Sequence, residues 1–211
     1  MTDITEHFAE IVERVARASR RARRSPDSVT IVAVSKQQPH AAIASAHAAG
    51  LAHFGESYVQ EAAPKMDALA GLPLTWHFVG RLQANKTRSI AERFDWVHTV
   101  DRVKLAERLA EQRPSALAPL NVLLQVNLGG EQQKAGIPPS ELPELAHAVA
   151  QLPRLRLRGL MTIPPRDGAP QRWFDELAAL QRELVAGGTA LDSLYMGMSA
   201  DFEEAIAAGA T

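Results

Sequence analysis

Cysteine is absent from this chain of 211 residues, which excludes disulfides, thiolate catalysis and cysteine-based metal sites from the start. Charge of one sign is lacking too. Lysine and arginine total 23 against 24 acids, a formal net charge of -1, so no overall field favours nucleic acid or an anionic membrane. No stretch approaches the roughly 20 apolar residues that a membrane span requires. The N-terminus has no apolar secretory core either. These absences predict a cytoplasmic protein without nucleic-acid or membrane partners. Neither Gly-x-Gly-x-x-Gly nor a Walker lysine motif opens a helical pattern, which argues against a nucleotide-binding open sheet. No His-x-x-x-His pair or acid cluster has metal-ligand spacing, so no metal site is expected. Lysine itself is scarce, five residues against eighteen arginines.

The arginines crowd one stretch, "RVARASRRARRS", which carries Arg14, Arg17, Arg20, Arg21, Arg23 and Arg24. No aromatic residues interleave to stack bases, and Asp3, Glu6, Glu10 and Glu13 upstream disfavour a transit peptide. Acids early and arginines late suit the dipole of one helix, from Thr2 to about Arg24, with a solvated end.

Beyond that helix the chain alternates. Apolar or β-branched runs at 29–36, 52–57, 74–80, 96–101, 120–128, 155–163 and 191–199 are separated by helical patterns such as "VKLAERLAEQR". Gly50, Gly71 and Gly187 close several of those patterns as C-terminal caps. Such alternation implies parallel strands joined by helical crossovers. No composition shift marks a linker, so residues 1–211 read as one domain. The pattern favours a (β/α)8 TIM-type barrel with an extra N-terminal helix. Its last strand is missing from the chain, since an eighth would begin after "DFEEAIAAGAT".

The working end of such a barrel lies at the C-terminal tips of its strands. Lys36 stands at the first tip, in "IVAVSKQQP". Strand parity places it in the row of Thr30, Val32 and Val34. If that row faces the interior, the amine enters the barrel mouth as a nucleophile towards carbonyls; otherwise it snorkels out to solvent. Lys65 and Lys104 fall in helical patterns among polar neighbours, and Lys86 and Lys134 lie just past strand ends. Other tips offer Glu56, Ser57, His77, Gln83, Asn85 and Asn127. His77 alternates with Trp76 and Phe78, which also suits a satisfied core histidine. Ser199 ends "MGMS" and reads either as the cap of a helix starting at Ala200 or as part of a phosphate site behind that cap. A carbonyl-reactive lysine with a phosphate site leaves two ligand classes open, a phosphosugar held by an aldolase or pyridoxal 5′-phosphate.

Six segments in order, "VAVSKQQP", "HFGESYVQEA", "WHFVGRLQANK", "QVNLGGEQQKAGI", "RGLMTIPP" and "LYMGMSADFEEAIAAGAT", resemble the pyridoxal phosphate homeostasis proteins. These are single-domain relatives of the barrel of bacterial alanine racemase. The resemblance covers nearly the whole chain and implies pyridoxal 5′-phosphate held as an internal aldimine. It places the cofactor lysine on Lys36 and a phosphate-holding serine on Ser199, with Ser57, His77 and Asn85 at pocket-side motif positions. It also implies a monomer that buffers the cofactor, supplies it to apo-enzymes and influences amino-acid and keto-acid balance, without turnover of its own. The rivals are a weak amino-acid racemase and, further off, a Schiff-base aldolase. Racemisation on this barrel needs a second base facing the cofactor, which the racemases take from a separate domain. Two departures stand out. Ser57 replaces the family's usual asparagine, and a last strand resembling Val-Arg-Ile-Gly-x-x-Ile-Phe-Gly does not follow Thr211.

Overall fold

Seven parallel strands, hydrogen-bonded in chain order from β1 to β7, make one curled sheet wrapped by helices. The computed structural model describes residues 4–165 and 169–211. The strands are β1 (Ala33–Val34), β2 (His53–Glu56), β3 (Thr75–Phe78), β4 (Trp96–Val100), β5 (Leu120–Gln125), β6 (Leu155–Met161) and β7 (Ser193–Tyr195). Helix α1 (Ile4–Arg21) precedes them. Between them lie α2 (His40–Ala48), α3 (Val59–Ala68), α4 (Thr87–Arg93), α5 (Val103–Gln112), α6 (Leu142–Ala150) and α7 (Pro170–Ala186), and α8 (Phe202–Ala208) follows β7.

Each crossover helix carries an apolar stripe for the sheet. In α5 the buried residues are Leu105, Ala106, Leu109 and Ala110, a one-turn spacing that gives one covered face. The strand residues that meet the helices include Phe54, Phe78 and Val97, all essentially without solvent contact. Burying a Phe or Val side chain contributes about 1.5–3 kcal/mol, so this layer holds the fold together. The opposite residues point inward. His98 on β4 meets Tyr195 on β7 with ring centroids 4.0 Å apart, although β5 and β6 stand between the two strands. Only a sheet curled into a barrel allows that contact.

The expected seven-strand barrel with an N-terminal helix is therefore present, with two local differences. The strand expected over 29–36 is regular only at Ala33–Val34, because β1 pairs on one side alone, with β2. The helix expected to reach Arg24 stops at Arg21, and Thr2 lies outside the described residues. Arg23 takes a left-handed φ of 57°, and the Arg24 amide turns back to Ser19 O at 2.9 Å, closing the helix with a Schellman-type bond.

The edges β1 and β7 meet through one residue. Thr211 donates its N–H to Leu194 O at 3.1 Å and its carbonyl accepts from Thr30 N at 2.6 Å. Its hydroxyl oxygen accepts from Leu194 N at 2.9 Å. Thr211 thus bridges β7 and the segment that leads into β1.

Candidate functional site

Lys36 rides on a tight turn at the tip of β1. The Gln38 amide closes the turn onto Ser35 O at 3.0 Å, and Gln37, its third residue, has a φ of 62°. That conformation is the one a type II turn reserves for glycine, and a residue with a Cβ pays about 1–2 kcal/mol to adopt it. Of the row whose direction the sequence leaves open, Val32 and Val34 face inward: Val34 pairs with Gly55, and a Cβ on Gly55 would touch Val32, Val34 and Val79. Lys36 itself is exposed, and among the described residues no hydrogen bond or ion pair engages its amine.

A buried ion cluster lies under this turn. Lys65, from α3, donates to Ser35 O at 2.8 Å, to Glu56 Oε1 at 2.7 Å and to Glu61 Oε1 at 2.7 Å. The Ser35 hydroxyl donates to the same Glu56 oxygen at 2.7 Å, and the Gln37 N–H donates to Glu61 Oε1. Burial works to lower the Lys65 pKa, but the hydrogen bonds and charges of Glu56 and Glu61 outweigh it and hold the group above the ordinary lysine value. Glu61 is held below the usual carboxylate range, chiefly by its bond from Lys65 and then by that from Gln37. Lys65 had the sequence signature of a solvated helix residue. Instead it is 8% exposed and central to the cluster.

Ser57 follows β2, as Lys36 follows β1, and each lies two residues past the Val34–Gly55 pair. Ser57, Tyr58, Gly80, Arg81, Gln83 and Lys86 line a cavity of about 340 Å³. Gly80 lets the chain after β3 pack directly against the backbone of Ser57, since a Cβ there would stand 2.0 Å from Ser57 O. Asn85 is exposed in the loop before α4 and is not among the lining residues. Ser199 is exposed in the turn between β7 and α8. The helix expected to start at Ala200 begins at Phe202, and Asp201 occupies its cap position, its carboxylate accepting from Met198 N at 2.5 Å. Ser199 is therefore not that helix's cap, and its hydroxyl stands free of the role.

His77 lies deeper. Its Nε2 is 2.9 Å from His53 Nδ1 and its Nδ1 is 2.8 Å from His98 Nε2, so both ring nitrogens are engaged. The ring also stacks on Trp96 at 5.5 Å. Burial pushes the His77 pKa down to about 2, with His98 and His53 adding to the shift, and burial alone pushes His98 down to about 3. Tyr195, above His98, is raised to about 12 by burial. The geometry is that of a satisfied core histidine. No local pattern announces the three-histidine file, because strand register decides it.

Among the described residues no helix is long and apolar enough to cross a membrane. The family pattern of the alanine racemase N-terminal domain matches residues 7–209. A pyridoxal phosphate homeostasis protein of Pseudomonas aeruginosa is 53% identical over 211 residues, covering all of this chain and 92% of that one. The structure of PipY from Synechococcus elongatus with pyridoxal phosphate bound superposes with a TM-score of 0.82 at 42% identity, over 95% of each chain. An alanine racemase of Clostridium difficile, 12% identical, shares the fold with a TM-score of 0.69 over 90% of this chain and 51% of its own.

Proposed function

As the chain belongs to the alanine racemase N-terminal domain family and, within it, to the pyridoxal phosphate homeostasis proteins, we propose that it binds pyridoxal 5′-phosphate at its strand tips and serves as a carrier of that cofactor. The observation that carries the reading is Lys36, an unengaged amine held on an ordered turn at the end of an inward-facing strand row. The donor set fits the group, because a free primary amine, a free serine hydroxyl and a cavity bordered by Ser57, Arg81, Gln83 and Lys86 share one end of the barrel. When bound, the cofactor supplies an aldehyde that condenses with a primary amine and a phosphate that accepts hydrogen bonds. Lys36 would supply that amine and Ser199 a donor for the phosphate. Ser57 and Asn85 would border the site. His77, with both nitrogens occupied, would support the barrel interior beneath it.

The reading as a carrier rather than an enzyme rests on the tips themselves. Racemisation needs a proton acceptor on each face of the reacting carbon, and the three groups assigned to the site beside Lys36, namely Ser57, Asn85 and Ser199, are hydroxyls and an amide, not bases at neutral pH. We assign the protein to the cytoplasm as a monomer that passes the cofactor to apo-enzymes.

Borohydride reduction of the loaded protein followed by peptide mapping tests the assignment. The pyridoxyl label is expected on Lys36, and a label confined to another lysine would overturn it. Ser199→Ala is expected to weaken pyridoxal 5′-phosphate by about tenfold or more, the loss of one hydrogen bond to a charged group at about 1.5–3 kcal/mol. Unphosphorylated pyridoxal should be nearly unaffected. Loaded protein is expected to leave L-alanine unracemised, and sustained turnover would favour the enzyme instead.

A further inference from the structure

Lys36 has no anchor of its own, yet both of its chain neighbours are tied to one buried ammonium cluster. Ser35 precedes it with its carbonyl held by Lys65 at 2.8 Å and its hydroxyl held by Glu56 at 2.7 Å. Gln37 follows it in a left-handed conformation with its N–H held by Glu61, which Lys65 holds in turn. The Ser35 carbonyl is the acceptor that closes the turn from Gln38 at 3.0 Å. Lys65 therefore binds the atom on which the turn is built.

We propose that Lys65 is a positioning residue for Lys36, and that with Glu56 and Glu61 it fixes the β1 turn so that the Lys36 amine is presented towards the mouth of the barrel. The proposal rests on the reading of Lys36 as the cofactor lysine. The cluster joins three elements, the tips of β1 and β2 and helix α3, which contributes Glu61 from its first turn and Lys65 from its last. Loss of the ammonium would release the turn on both sides of Lys36 at once. Gln37 would then be free to leave its left-handed conformation and carry Lys36 with it. Lys65 does not itself compete for the aldehyde. It is buried and its protons are committed to three oxygens.

A positioning role and a general structural role separate on the choice of ligand. Pyridoxamine 5′-phosphate keeps the ring and phosphate of the cofactor but carries an amine in place of the aldehyde, so it cannot condense with Lys36. Dissociation constants for it and for pyridoxal 5′-phosphate would be measured by fluorescence titration in the parent, Lys65→Met and Glu61→Ala, and again with Lys36→Ala added. Lys65→Met is expected to weaken pyridoxal 5′-phosphate by tenfold or more and pyridoxamine 5′-phosphate by less than twofold. Its effect should vanish in the Lys36→Ala background. Glu61→Ala removes the Gln37 anchor from a partly exposed position and should give the same contrast at threefold or more, which decides the matter if Lys65→Met fails to fold. Equal weakening of both ligands, or unchanged binding in folded variants, would overturn the positioning role. Borohydride mapping of the parent stands apart as a control: a label away from Lys36 overturns the functional reading and this inference with it, whereas a label on Lys36 with no ligand contrast overturns this inference alone.

Discussion

Single residues in the barrel interior set how the protein responds to acid. His77 and His98 are neutral in the fold, with pKa values lowered to about 2 and about 3, whereas in the unfolded chain both would titrate near the ordinary 6.5. Above that value neither state carries the protons and the pair has no effect on stability. As the pH falls below it, the unfolded chain takes up two protons that the fold refuses, so stability drops. The slope is about 1.4 kcal/mol per pH unit for each histidine, or about 2.7 for the pair, until the folded pKa values are reached near pH 3. Urea unfolding at pH 7, 6 and 5 should show this decline, and His98→Gln, which retains a hydrogen-bonding group, should remove about half of it. A stability that stays level from pH 7 to 5 would dismiss the histidines as a control on the fold. Nothing in the local sequence announces this behaviour. His53, His77 and His98 line up only because β2, β3 and β4 pair with Gly55 opposite His77 and His77 opposite Trp96. Lys65 escaped notice for a related reason: its partner Glu56 stands on a different element, and the burial of both is a tertiary fact. Lys36 stands out as a candidate in the sequence, because a charge in register with a valine row is a local pattern.

At the scale of elements, the arginine-rich stretch is a docking surface as much as a solvated end. Arg14 donates to Glu203 at 2.9 Å and lies 4.5 Å over the Phe202 ring, and Arg24 donates to Ile206 O at 2.9 Å. These contacts bind α1 to α8 around a small apolar cluster of Val15, Ala18 and Ile206. The energies are unequal. Arg14 and Glu203 are both about 40% exposed along their side chains, and exposed pairs contribute about 0.2–1 kcal/mol. Ile206 is 2% exposed, and truncating a buried isoleucine costs about 2–5 kcal/mol. Ile206→Ala is thus expected to lower the urea unfolding free energy several times more than Glu203→Gln, and equal losses would show that charge rather than packing holds the helices together. The helices and strands were legible from hydrophobic period, and all seven strands fall where apolar runs predicted them. Their ends were not. Helix α8 starts at Phe202 with Asp201 at the cap position, two residues beyond Ser199. The Asp201 carboxylate turns back to Met198 N instead of the helix, a local turn that the pattern does not resolve.

For the molecule as a whole, the sheet's stability is graded from its centre to its seam. β5 pairs with β4 and β6 over long registers, and Leu120, Val122, Leu123 and Leu124 have at most 1% exposure. At the seam, Val34 is 45% exposed and β1 has only two regular residues. There two backbone hydrogen bonds of Thr211, with a third accepted by its hydroxyl, link the edges. Amides in such a place open locally without unfolding the remainder, whereas those in the centre exchange only when most of the structure is lost. Removing Thr211 would strip Leu194 N of its acceptor and leave Thr30 N unpaired, both at the seam. Hydrogen exchange followed by mass spectrometry is therefore expected to show faster exchange around Thr30 and Leu194 after that deletion. A net hydrogen bond is worth about 0.5–1.5 kcal/mol, so the acceleration should be about two- to tenfold at each amide. Exchange in Leu120–Gln125 should be unchanged. Acceleration of β5 to the same degree would mean that the barrel opens as one cooperative unit through this link, and that its stability is not graded from the centre outward.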